Sequence, residues 1–132
     1  MITVDTSVWI DYFNGKSTAQ TEHLDLVLGT TILVVGDLVL AEVLQGFRND
    51  KDYKIAKSLL EACELVSFTS PTLAIKSASN YRTLRKKGIT IRKTIDCLIA
   101  TYCVENKLPL LHTDKDFLPF ENHLKLKTAL PL

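Results

Sequence analysis

A chain of 132 residues, 46% apolar and 23% charged, can bury one core and leaves no room for a second module of ordinary size. That apolar share excludes a disordered chain, and acids at Asp37 and Glu42 interrupt the longest apolar run well short of a membrane span. A formal charge of +1 argues by itself neither for nor against a polyanionic partner, so the distribution of charge carries the information.

Ile2-Thr3-Val4 reads as a first strand, and Asp5-Thr6-Ser7 offers helix-capping chemistry to a helix carrying Val8, Trp9, Tyr12 and Phe13 up to Asn14-Gly15. A second helix is expected over 18–28. Ile32-Leu33-Val34-Val35 has the β-branched, continuously apolar character of a parallel strand buried on both faces. Helix returns over 38–47 and again over 51–62, the latter with Ile55, Ala56, Leu59 and Leu60 on one face. Leu65-Val66-Ser67-Phe68 is a third strand. Ser70-Pro71 starts a helix that ends in Arg85-Lys86-Lys87-Gly88, cations at the helix C-terminus followed by a glycine cap. Thr94 is expected to cap a helix running to about residue 106, Leu108 to His112 to form a fourth strand, and a weak strand near 124–126 to close the chain. Strands alternating with helices predict a single three-layer α/β domain over residues 1–132, its mostly parallel sheet covered on both faces.

No N-terminal leader pattern is visible. Cys63, Cys97 and Cys103 give neither an even framework nor a metal-ligand spacing, and read as core residues of a reduced, cytoplasmic protein. His23, His112 and His123 form no ligand pattern.

Four acids stand apart from the remainder. Asp5 and Asp114 each follow a strand, at the edge where open parallel sheets place their ligands, although each reads as well as a helix cap. Glu42 lies in Leu38-Val39-Leu40-Ala41-Glu42-Val43-Leu44, apolar almost all round, where an unpaired carboxylate is costly. The alternative for Glu42 is a single salt bridge or an exposed stripe with Asp37 and Gln45. Asp96, in Ile95-Asp96-Cys97-Leu98-Ile99-Ala100, is a similar case, with a helix-dipole role as its plainer explanation. One or two divalent cations would compensate all four, and carboxylates without His or Cys select hard ions, Mg²⁺ or Mn²⁺. Between Glu64 and Asp96 there is no acid at all, and the cations Arg82, Arg85, Lys86, Arg92 and Lys93 lead into Asp96. Arg92-Lys93 precede a helix N-terminus, where cations are unfavourable, which points to phosphate contacts and RNA as the substrate. A non-catalytic module that uses the acids to hold an ion or a basic partner is the competing reading.

In four ordered segments the chain resembles the PIN-domain nucleases, and among them the VapC-type toxins of prokaryotic toxin–antitoxin pairs. These are Val4-Asp5-Thr6-Ser7-Val8-Trp9-Ile10-Asp11-Tyr12, Leu40-Ala41-Glu42-Val43-Leu44-Gln45-Gly46, Ile95-Asp96-Cys97-Leu98-Ile99-Ala100 and Leu111-His112-Thr113-Asp114-Lys115-Asp116-Phe117. The resemblance implies a five-stranded parallel sheet and a Mg²⁺- or Mn²⁺-dependent endoribonuclease site. It matches Asp5, Glu42, Asp96 and Asp114 to the family's metal-binding acids, Asp116 to a frequent fifth, and Thr6 to a hydroxyl position near the metal. It further implies a homodimer, an RNA substrate such as tRNA or another structured RNA, and an inhibitory cognate antitoxin docking on helices near the site.

Overall fold

A computed structural model describes residues 1–132. Strand β1 (Ile2–Val4) leads into helices α1 (Thr6–Phe13) and α2 (Ala19–Val27), then β2 (Leu33–Gly36), α3 (Asp37–Gln45) and α4 (Asp50–Glu61). Strand β3 (Glu64–Val66), helices α5 (Pro71–Lys86) and α6 (Thr94–Glu105), β4 (Leu110–Leu111), a 3₁₀ turn (Lys115–Phe117) and α7 (Leu118–His123) complete it. All strand pairs are parallel, in the order β3-β2-β1-β4.

That order positions the site. The chain steps outward from β1 to β2 to β3, then returns to the other side of β1 to lay down β4. The carboxyl ends of β1 and β4 therefore flank the point where the winding direction reverses, which opens a crevice in sheets of this kind. The Asp5 amide donates to the Leu111 carbonyl at 2.9 Å and locks these two strand ends together.

The expected fifth strand is reduced to one bridge. Thr128 pairs with Leu110 in parallel, the Leu110 amide donates to the Lys127 carbonyl at 2.8 Å, and the Ala129 amide donates to the Leu110 carbonyl at 3.0 Å. Residues 124–126 form no strand, because the chain turns sharply there with Lys125 in the left-handed region (φ 63°). With β4 only two residues long, there is little edge left to pair.

Every residue of β2 is buried, so both faces of the sheet are covered. Helices α1 to α4 pack in one chain of contacts and α5 packs on α6. The core joins Val4, Trp9, Val34, Val35, Leu60, Phe68, Ile99, Leu110, Phe117 and Phe120 in one cluster. Cys97 and Cys103 are buried and Cys63 half-buried, all free, and burial pushes the Cys103 thiol up to about 12. On α4, Ala56 and Leu60 face the core but Ile55 is 56% exposed: the buried stripe is narrower than its apolar positions implied. Ser70 caps α5 as expected, accepting from the Leu73 amide at 3.1 Å. Thr94 does not cap α6. Lys93 holds that position, and no side chain closes the helix start. No helix is long and apolar enough to cross a membrane.

Candidate metal centre

Asp5, at the end of β1, occupies the N-cap position of α1 but makes no capping hydrogen bond, so its capping explanation is not realised. The residue is 5% exposed, and its carboxylate instead accepts from the Ser7 hydroxyl at 2.7 Å. Burial raises its pKa above the ordinary 3.8, with the Ser7 hydroxyl offsetting part of the rise. Ser7 in turn lies 3.4 Å from the Thr113 hydroxyl, which ties β1's end to the loop after β4.

Asp114 opens the 3₁₀ turn, one carboxylate oxygen accepting from the Asp116 amide at 2.8 Å, so here the capping role is real. Its own amide donates to His112 Nδ1 at 3.2 Å. His112 is fully buried, and its Nε2 lies 2.7 Å from Glu121. With Nδ1 accepting, the ring proton belongs on Nε2 and is donated to the Glu121 carboxylate. The buried imidazole thus braces the backbone that presents Asp114.

Asp96 sits in the first turn of α6 at 8% exposure. Its Oδ2 is buried with no hydrogen-bond partner at all. Desolvation, then the nearby charges of Asp5, Asp114 and Glu42, raise its pKa from 3.8 to about 6, against the opposing pull of Lys93. Those neighbours come from the end of β1, the loop after β4 and α3, so acids of three other elements act on Asp96 through their charge, with Asp5 and Glu42 outside the tightest group. Ligand oxygens of Asp96, Asp114 and Asp116 lie within 4.8 Å of one another.

Glu42 is half-buried, because α3 exposes Ala41 and Gln45 on the same side. It is not enclosed as the apolar run predicts. No ion pair holds it; the Thr6 hydroxyl donates to its Oε1 at 2.8 Å. Asp37, the other acid of that helix, plays a separate part. It accepts from the Leu38 and Phe68 amides at 2.9 and 2.8 Å and from the Thr69 hydroxyl at 2.8 Å, fastening the segment after β3 to α3.

Arg92 is exposed and donates through both Nε and an Nη to one oxygen of Asp116, at 3.1 and 2.9 Å. Asp116 within the site therefore partners one of the two cations that precede α6, while the Arg92 side chain itself stays 76% exposed. Arg82, Arg85, Lys86 and Lys93 are exposed at the end of the molecule that carries the acids, the Arg85 guanidinium 5.6 Å from the Tyr81 ring centre.

Hard-cation chemistry fits this donor set. Oxygen ligands dominate, no His or Cys intrudes, and a buried carboxylate oxygen without a partner is otherwise a large cost. Ser7, Thr113 and Glu121 carry parts of this arrangement that the sequence did not point to. Only Ser7, two residues after a strand-end acid, left a signal there.

Residues 2–121 match the PIN domain family. The chain belongs to that family. Across 89% of its length it is 25% identical to VapC ribonuclease Mb1587 of Mycobacterium bovis and to ribonuclease VapC11 of Mycobacterium tuberculosis, covering 89% of each. The fold is shared with the VapBC2 complex from Rickettsia felis, solved with a promoter DNA fragment, at a TM-score of 0.75, 19% identity and 98% coverage of both chains. It is also shared with FitAcB from Neisseria gonorrhoeae, at a TM-score of 0.74, 18% identity, and 99% and 98% coverage.

Proposed function

We propose that this PIN domain is a Mg²⁺- or Mn²⁺-dependent endoribonuclease, acting as the toxin of a toxin–antitoxin pair. The observation that carries the chemistry is the buried, unpartnered Asp96 Oδ2 on a residue grouped with Asp114 and Asp116 and under the charges of Asp5 and Glu42. Asp5, Glu42, Asp96 and Asp114 would hold the cation, with Asp116 as a fifth acid beside them. When bound there, such a cation supplies Lewis-acid polarisation of a phosphodiester and an acidified water.

The remaining work falls to the chain's own groups. Thr6 orients Glu42, leaving its second oxygen free for a ligand. Ser7 fixes the rotamer of Asp5, and the His112–Glu121 pair steadies the strand end behind Asp114. Arg92 and Lys93 adjoin the acids and, with the exposed Arg82, Arg85 and Lys86, would take the RNA backbone, placing the scissile phosphate against the carboxylate cluster. The named VapC relatives are ribonucleases, which supports RNA as substrate. A toxin–antitoxin complex from Klebsiella pneumoniae shares this fold at a TM-score of 0.72 and 15% identity, which supports a cognate antitoxin as the inhibiting partner. A homodimer working in the cytoplasm completes the reading.

The test is digestion of bulk tRNA by the purified protein with Mg²⁺, with EDTA, and with Asp96→Asn in place of the wild type. Cleavage that needs the metal, is lost in the variant and leaves 5′-phosphate and 3′-hydroxyl ends is the expected result. Metal binding without any turnover would favour the non-catalytic module, and cleavage undiminished by EDTA or by Asp96→Asn would overturn the proposal.

A further inference from the structure

Three lysines surround a concave pocket of about 290 Å³ at the end of the molecule opposite the acids. Lys107 follows α6, Lys125 follows α7, and Lys127 lies in the tail pinned to β4 by the Leu110–Lys127 hydrogen bond. Val104, Leu108 and Leu124 line its apolar part, and no acid lines it. All three lysines are exposed, and none is in an ion pair. The nearest acid in sequence to Lys107, Glu105, is already engaged by Lys76 at 2.9 Å.

Two of these lysines occupy backbone positions that disfavour them. Lys107 and Lys125 have φ of 54° and 63° and are the only non-glycine residues with positive φ in the chain. Each lies just past a helix end, though the two turns are closed by different hydrogen bonds. The Leu108 amide reaches back to the Cys103 carbonyl at 2.9 Å, and the Leu126 amide to the Phe120 carbonyl at 3.1 Å. Glycine or asparagine is the residue such caps prefer. The helix dipole favours a cation here, but a lysine in the last helical turn would supply one without the left-handed backbone. Lys127 belongs to neither helix. Helix capping therefore explains the fold of these turns and leaves the choice of lysine at both unexplained.

We propose that Lys107, Lys125 and Lys127 form a second RNA-backbone contact, remote from the acid cluster. This deepens the ribonuclease proposal and rests on it. Asp96 is in the first turn of α6 and Lys107 lies beyond its last, so the two ends are separated by about 16 Å along the helix axis. An RNA that reaches both must be extended or folded over that span. A short fragment occupying the acid site alone would miss the lysines. The apolar part of the pocket suits the face of a ribose or base between phosphates held by the rim.

The test measures binding of bulk tRNA by fluorescence anisotropy, over a range of salt, in the Asp96→Asn background. A triple Lys107→Asn, Lys125→Asn, Lys127→Asn protein is compared with a triple Lys→Arg protein at the same positions. Asparagine tolerates the left-handed turn, so the melting temperature of the neutral variant should not fall. The neutral variant should bind about tenfold or more weakly, with the slope of log K against log salt reduced by about 2, and the arginine variant should bind like its parent. On the active background the neutral changes should raise KM for tRNA and leave kcat unchanged. Parent protein that binds tRNA while the neutral variant binds it equally well overturns this site alone, as does equal weakening by arginine. A parent that binds no RNA overturns the ribonuclease reading together with the site.

Discussion

Asp96→Asn should make the metal-free protein more stable at neutral pH, even as it removes a group proposed for catalysis. Burial and the charges of Asp5, Asp114 and Glu42 lift the Asp96 pKa from 3.8 to about 6. In the unfolded chain the carboxyl loses its proton near 3.8, whereas in the fold it keeps the proton to about 6. The fold therefore binds more protons between those values, and stability drawn from the protonated form is complete below about pH 4 and gone above about pH 6. At about 1.4 kcal/mol per pH unit the loss has a ceiling of about 3 kcal/mol. Solvent reaching the open side of the site reduces that figure, and asparagine inherits the buried atom without a partner. The expected gain is about 1–2 kcal/mol at pH 7.5, which raises the melting temperature of a domain this size by about 4–7 °C. Thermal melts in EDTA at pH 7.5 and pH 4.5 measure it, with the gap between variant and wild type largely closing at the lower pH. A variant that melts no higher than wild type at pH 7.5, or a gap independent of pH, would refute the electrostatic reasoning.

Removing the hydroxyl that orients Glu42, by Thr6→Val, should weaken Mn²⁺ binding severalfold in calorimetric titration while shifting the melting temperature little. In Gly36→Ala the new Cβ would overlap the Phe68 ring, which is fully buried against Tyr102, and urea unfolding should show a loss of about 1–3 kcal/mol. Asp37→Ala removes hydrogen bonds from two amides and two hydroxyls and should cost about 2 kcal/mol near neutral pH. Burial works against the charged form of Asp37, but these donors outweigh it and hold the pKa below 3.8. The stabilisation is therefore present above pH 3.8 and lost as pH falls through the lower, folded value. In an acid titration followed by circular dichroism, the difference between Asp37→Ala and wild type should shrink below pH 3.8.

The features legible in the sequence were those with local causes. Ser70-Pro71 announces a helix start through chemistry confined to a few residues, and the strand Leu33–Gly36 through an unbroken β-branched run. Asp96 stood out because its neighbours in the helix are apolar, and it is indeed buried. Glu42 stood out for the same reason but is half-exposed, since an apolar run does not reveal which side of a helix lacks a neighbour. Contacts between distant segments left no such trace. Arg92 reaches Asp116 across 24 positions, and the His112–Glu121 brace depends on how α7 folds back. The missing fifth strand turns on the left-handed conformation of Lys125, which nothing in a lysine's chemistry announces.

The claim that carboxylates from four elements converge on a single cation is tested most directly by anomalous diffraction from crystals soaked in Mn²⁺. A manganese peak is expected within coordination distance of carboxylate oxygens of Asp96 and at least one of Asp5 and Asp114, with loss of that peak in Asp96→Asn crystals. Well-ordered acids with no peak among them, or manganese bound only elsewhere on the surface, would contradict it.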